Sequence, residues 1–196
     1  KDKSQLQLLA ALQILGIIAQ IIVGGISVLT HLNPFAVGAH FIISIALIVG
    51  AVSLRERMLE SERSTLSGTS TALARCVALL TFVVIALGVL VTGSGPHAGD
   101  IAAKRFHLDP RSIAWLHADA VIALISLTIG LYLLLKTSET QRSREVALHN
   151  LGIFLAVALG QGAIGYTQYF TKLPEILVGA HLLGASLIAA TMWKFV

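Results

Sequence analysis

Six apolar runs are the sequence feature that most constrains the fold of this chain. They cover approximately residues 5–29, 35–54, 72–93, 113–135, 146–166 and 175–195. Each run is long enough to cross roughly 30 Å of hydrocarbon, which takes about 20 helical residues at about 1.5 Å each. Backbone amides find no partner in lipid, and the strands of a barrel would be about half as long and alternate in polarity. The sequence therefore predicts an all-α, polytopic membrane helix bundle with six transmembrane helices.

The composition agrees with a membrane protein and excludes several other classes. Of 196 residues, 56% are hydrophobic and 12% are charged, against about 45 to 50% and about 25% in ordinary soluble domains. One cysteine cannot form an internal disulfide, and so high an apolar content excludes a disordered chain. The net charge of +4 does not indicate nucleic acid. The expected surroundings are a lipid bilayer.

Positive charges in the predicted loops indicate the orientation of the helices. Ten basic residues lie on the side of both termini, namely Lys1, Lys3, Arg55, Arg57, Arg63, Arg75, Lys136, Arg142, Arg144 and Lys194. Four lie on the opposite side, namely Lys104, Arg105, Arg111 and Lys172. Basic loops stay in the cytoplasm, so we expect both termini of this chain to be cytoplasmic.

An internal repeat relates the first and last hairpins. An offset of 141 residues pairs Gln20 with Gln161 and Gly24 with Gly165, and it pairs V-G-A-H at 37–40 with the same letters at 178–181. The hairpin at 5–54 is therefore interpreted as a copy of the hairpin at 146–195.

Two parallel four-helix repeats would explain this duplication, with the first hairpin of the first repeat absent. Residues 1–54 are then the second hairpin of the N-terminal half, 55–71 a cytoplasmic linker and 72–196 the C-terminal half. The alternative is a six-helix protein whose outer hairpin is duplicated.

Three histidines share one predicted depth. His40, His117 and His181 lie a few residues inside their helices, roughly 6 to 9 Å below the outer boundary at about 1.5 Å per residue. A histidine within a membrane helix almost always faces the bundle interior and has a partner, which indicates a functional site. The alternative is a hydrogen bond between helices.

The small number of histidines available as metal ligands favours haem over a zinc site. Zinc sites use three or four protein ligands, whereas haem iron needs only one or two axial groups because the porphyrin supplies the others. Small residues after His181, at Gly184 and Ala185, leave room for a flat ligand, although they also suit close helix packing. Haem binding, structural hydrogen bonding and proton or metal transport all remain open from spacing alone.

Other polar residues lie around this histidine layer. Lys104, Arg105 and Arg111 are predicted just above it, where they suit the carboxylates of a haem or form a solvated rim. Asp119 points away from His117 on the same predicted helix. It receives no role, and neither do the loop histidines at 97 and 107.

Five segments together resemble haem A synthase, in particular its actinobacterial members. They are 29–41 (L-T-H-L-N-P-F-A-V-G-A-H-F), 91–100 (V-T-G-S-G-P-H-A-G-D), 116–121 (L-H-A-D-A-V), 160–169 (G-Q-G-A-I-G-Y-T-Q-Y) and 177–182 (L-V-G-A-H-L). The resemblance runs over nearly the whole chain. It implies eight helices in two four-helix halves, of which this sequence corresponds to helices three to eight.

The resemblance also implies a reaction and its residues. His117 and His181 match the pair that holds a b-type haem. His40 matches one histidine of the site where haem O is oxidised at a methyl group to the formyl of haem A for cytochrome oxidase. The partner of His40 is expected upstream of residue 1.

The family further implies a place in the cell and a partner. It implies a bacterial plasma membrane, haem sites toward the outer face, and handover of haem O from haem O synthase. The pattern does not name an electron donor. Two other functions stay open: a di-haem membrane cytochrome that passes electrons to or from quinone, and a transporter with histidine relays.

Overall fold

Six α-helices make up the fold. The computed structural model describes residues 3–59, 65–96 and 102–195, and these contain no β-strand. The helices are α1 (Lys3–Leu29), α2 (Pro34–Met58), α3 (Gly68–Ser94), α4 (Pro110–Ser138), α5 (Gln141–Phe170) and α6 (Glu175–Met192). All six are long and apolar enough to cross a membrane. The predicted all-α fold and its multi-pass character are confirmed.

Two of the helices, α2 and α4, begin at side chains that accept hydrogen bonds from the first turn. α2 starts at Pro34, and the side chain of Asn33 accepts a hydrogen bond from the N–H of Phe35 at 3.0 Å. Before α4, a carboxylate oxygen of Asp109 accepts from the N–H and the hydroxyl of Ser112 at 2.8 and 2.6 Å. The bond from that hydroxyl lowers the pKa of Asp109, so this cap stays ionised. It fixes the start of the helix that carries His117.

The chain divides into two compact units. The first unit contains Lys1–Ser61 and Gly88–Ala114, and the second contains Glu62–Leu87 and Trp115–Val196. The predicted linker at 55–71 is partly helical, because α2 continues to Met58 and α3 begins at Gly68.

The first unit contains the α1–α2 hairpin, the end of α3 and the beginning of α4. The N–H of Phe106 donates to the carbonyl of Gly93 at 2.8 Å. The rings of Phe106 and Phe35 meet edge to face with their centroids 4.8 Å apart. Gly38 on α2 approaches α3, since a Cβ there would lie 2.7 Å from Cγ1 of Val89. These contacts fasten residues before α4 onto the start of α2.

Apolar side chains from α3 to α6 form the core of the second unit. Its most buried members are Val77, Leu131, Leu135, Leu151, Phe154 and Met192. The rings of Phe154 and Phe195 meet edge to face with their centroids 5.2 Å apart. The buried hydroxyls of Thr81 and Thr128 donate to carbonyls one turn earlier, at 2.8 and 2.7 Å. This core therefore contains polar groups that are satisfied within their own helices.

Both histidine hairpins turn through the same backbone conformation. His31 and Leu32 follow α1 with φ of 53° and 57°, and Lys172 and Leu173 follow α5 with φ of 61° and 59°. In each turn the N–H of the second residue donates back to the preceding helix, at 2.8 Å and 3.0 Å respectively. Left-handed backbone is unfavourable for residues with a Cβ. Its occurrence at both matched pairs makes the 141-residue repeat a repeat of structure as well as sequence.

Candidate functional site

The three predicted histidines lie at matching positions in their helices. His40 and His181 are the seventh residues of α2 and α6, and His117 is the eighth residue of α4. Each is therefore about 10 Å from the start of its helix at about 1.5 Å per residue. All three are partly buried. Their Nδ1 atoms are buried and have no hydrogen-bond partner among the described residues.

A glycine lies opposite the histidine in each of the two repeated hairpins. A Cβ added to Gly24 on α1 would lie 3.2 Å from Cε1 of His40 and 3.5 Å from its Nδ1. A Cβ added to Gly165 on α5 would lie 3.4 Å from Cε1 of His181. Each imidazole therefore rests against the backbone of the preceding helix, at a position where a larger side chain would crowd it.

His117 and His181 form a pair in the second unit. The two imidazoles are close enough to interact electrostatically. The pair thus lies on α4 and α6, with Gly165 of α5 beside it. No group of three or more His, Cys, Asp or Glu side chains suited to a metal occurs in the part of the chain that the structure describes.

A glutamine network holds the backbone of His40 in the first unit. Nε2 of Gln20 donates to the carbonyl of His40 at 3.1 Å and also to the hydroxyl of Ser44. That hydroxyl donates in turn to the same carbonyl at 2.9 Å. The other end of the amide, Oε1 of Gln20, is buried and has no partner among the described residues.

The second hairpin lacks this network because two residues differ. Gln161 matches Gln20, but Ala185 stands where the first hairpin has Ser44 and offers no hydroxyl. Gly184 stands where the first hairpin has an isoleucine, and the amide of Gln161 fills the space that a Cβ on Gly184 would occupy. The two hairpins therefore share the histidine and the glycine and differ in the setting of the glutamine.

The predicted cations belong to the unit that contains His40. Lys104 and Arg105 precede α4, and Arg111 is in its first turn. His117 and His181 belong to the other unit. The contact of these three cations with haem carboxylates stays a prediction.

Three further polar residues were left without a role by the sequence. Asp119 on α4 and His107 before it are exposed. His97 lies outside the described residues. Asp119 and His107 receive no role from their surroundings.

Sequence reasoning missed the glycines and Gln20 as site residues. Gly24, Gly165, Gln20 and Gln161 were visible as matched letters of the repeat. Glycine and glutamine repeated inside apolar helices were the available signal, because both types are unusual there without a packing or polar reason.

No family model, curated protein or solved structure matches this chain. What the protein does is therefore inferred from the chemistry of its histidine hairpins.

The contact between Gly24 and His40 predicts how much stability is lost when glycines of the two hairpins are replaced by alanine. Gly24→Ala forces a Cβ within 3.2 Å of the ring, so it is expected to lower the melting temperature in detergent. Gly25→Ala is the matched control, because a Cβ there meets nothing within 4 Å. Overpacking should separate the two variants by about 1 to 3 kcal/mol. Gly165→Ala, at 3.4 Å, should lie between them. Equal melting temperatures for Gly24→Ala and Gly25→Ala would contradict the contact.

Proposed function

We propose that this chain is a haem A synthase that holds a b-type haem between His117 and His181. A second site that includes His40 would hold haem O while its methyl group is oxidised to a formyl group, a four-electron change whose oxidant has to come from outside this chain. The observation that carries the proposal is the pair of partly buried imidazoles on α4 and α6, close enough to interact and each with an unpartnered Nδ1. The resemblance of five segments to haem A synthase supplies the identity of the reaction.

The residues present fit an axially bound haem. An imidazole is a common ligand of haem iron, and haem iron needs at most two ligands from the protein. Two histidines in one unit meet that number, whereas a zinc site would need three or four ligands. Gly165 lets the ring of His181 approach α5, since a Cβ there would lie 3.4 Å from Cε1 of the ring. Haem supplies reversible one-electron transfer when it is bound.

Under this proposal the two histidines of the second unit and the apolar core beside them have separate roles. His117 and His181 would hold the haem from two different helices, and a haem held by two protein ligands would supply electron transfer rather than oxygen binding. Leu124 and Ile188, each two turns along the helix from His117 and His181 respectively, are almost fully buried in the apolar core and give the pair a low-polarity side. A low-polarity environment of this kind also controls the reduction potential.

The first unit carries the residues proposed for the substrate. His40 would hold haem O, and Gly24 lets the ring of His40 lie close to α1. Gln20 and Ser44 fix the backbone carbonyl of His40. The basic residues at 104, 105 and 111 are in the same unit and would pair with the carboxylates of the substrate.

The membrane setting follows from the charge pattern. We propose a bacterial plasma membrane, with both termini of this chain in the cytoplasm and the histidine ends of α2, α4 and α6 toward the outer face. An apolar substrate such as haem O would reach the site from within the lipid, which suits delivery by haem O synthase in the same membrane.

A second candidate is a di-haem cytochrome that only passes electrons. It is favoured by the same arrangement of histidine and glycine in both hairpins, since a duplicated site is what two similar cofactors require. The two functions differ in the fate of haem O.

Conversion of haem O tests the proposed reaction. Membranes that contain the protein and are supplied with haem O should yield haem A on extraction, detected by mass as a gain of one oxygen and a loss of two hydrogens. His40→Leu should lose this conversion but keep the b-type spectrum. Unchanged haem O together with an intact b-type spectrum in the wild type would establish the cytochrome instead. Purified protein without any Soret band would contradict both and favour a transporter.

The cofactor ligands have a separate spectroscopic test. His117→Leu and His181→Leu are each expected to abolish the low-spin b-type spectrum, because each removes one axial ligand. His149→Leu is the control, since His149 is exposed on the first turns of α5. An unchanged spectrum in both ligand variants would overturn the assignment.

A further inference from the structure

We propose that Gln20 is a positioning residue for His40. Its Oε1 accepts a hydrogen bond from the Nδ1–H of the imidazole and so leaves Nε2 unprotonated for a metal. The part that concerns metal binding rests on the proposed function, whereas the hydrogen bond itself does not.

The direction of the Gln20 amide is fixed by its partners. A backbone carbonyl can only accept, so the amide atom 3.1 Å from the His40 carbonyl has to be the nitrogen. The hydroxyl of Ser44 donates its proton to the same carbonyl at 2.9 Å. Its oxygen can therefore only accept from the amide of Gln20, which again identifies that amide atom as the nitrogen. The opposite end of the amide is thus a carbonyl oxygen that needs a donor.

The missing donor is available on the neighbouring ring. Oε1 of Gln20 and Nδ1 of His40 are both buried and unpartnered among the described residues. Burial of a polar atom without a hydrogen bond is unfavourable by about 1 to 3 kcal/mol, so one bond between these atoms would relieve both. In the α1–α2 hairpin, the described residues offer no other buried side-chain acceptor without a partner.

Gly24 gives the imidazole the room that this bond requires. Gln20 and Gly24 are one turn apart on α1 and therefore lie on the same face of the helix. The two atoms are not bonded in the structure, so the proposed bond requires the imidazole of His40 to reorient. No Cβ obstructs the ring, because the nearest position on α1 belongs to a glycine.

The same arrangement is not repeated in the second hairpin. Gln161 rests on Gly184, no hydroxyl faces it from Ala185, and its Oε1 is not among the buried unpartnered atoms. His40 and His181 would consequently differ in the partner of Nδ1. A hydrogen-bonded Nδ1–H makes the other ring nitrogen a stronger ligand, so the glutamine would favour firm binding at His40.

The tautomer of His40 in the metal-free protein tests the hydrogen bond directly. Nitrogen-15 spectra of histidine-labelled protein in detergent report which ring nitrogen carries the proton, with His40→Asn identifying the signals. The wild type is expected to hold the Nδ1–H tautomer. Gln20→Leu should return the ring to a mixture in which Nε2–H is the major form. Gln20→Glu retains an acceptor oxygen and should preserve the tautomer.

Haem titration tests the consequence for binding. With His117→Leu in the background, so that only the His40 site is titrated, Gln20→Leu should weaken haem affinity about 10- to 100-fold. It should also shift the reduction potential upward. Gln161→Leu is the matched control from the second hairpin and should leave the affinity at His40 unchanged.

The two proposals fail in different ways. If Gln20→Leu matches the wild type in both tautomer and affinity, the role of Gln20 is overturned even when haem binds. If the tautomer depends on Gln20 but no haem binds to the wild type, the hydrogen bond stands and the proposed function fails.

Discussion

Every backbone amide inside a membrane has to find its hydrogen bond within the chain, and the rest of this structure depends on that constraint. It makes each apolar run a helix and confines irregular backbone to the ends. It also makes polar side chains within the helices expensive unless they are partnered. Thr81 and Thr128 meet the requirement by bonding to their own helix. His40, His117 and His181 leave Nδ1 unpartnered in buried positions, and these exceptions indicate where the chain is adapted to hold something.

The duplicated hairpin repeats one local arrangement of turn, histidine and glycine. The left-handed turn sets how α1 meets α2 and how α5 meets α6, so the histidine of each hairpin arrives opposite a glycine. Differences beside that shared element then separate the two sites. Ser44 holds Gln20 in one hairpin, while Gly184 receives Gln161 in the other. A cofactor site and a substrate site built from one ancestral hairpin would need this kind of difference.

Hydropathy predicted the number and positions of the helices because run length alone decides whether a segment can span lipid. It placed the end of α2 at residue 54, whereas the helix reaches Met58. Arg55 and Arg57 are good helix formers, and their charge ends the apolar run without ending the helix. The position of each histidine within its own helix was predictable for the same reason as the helices, since it follows from counting residues. The contacts of Gly24 and Gln20 were not, because they depend on the rotation of one helix against the next, which the backbone of the turn determines.

The central claim is that His117 and His181 together hold one haem iron. Electron paramagnetic resonance of the oxidised protein, combined with nitrogen-15 labelling of histidine, measures this directly. The account predicts a low-spin ferric signal with hyperfine coupling to two imidazole nitrogens. A ferric signal coupled to only one imidazole, or purified protein that contains no iron, would contradict it.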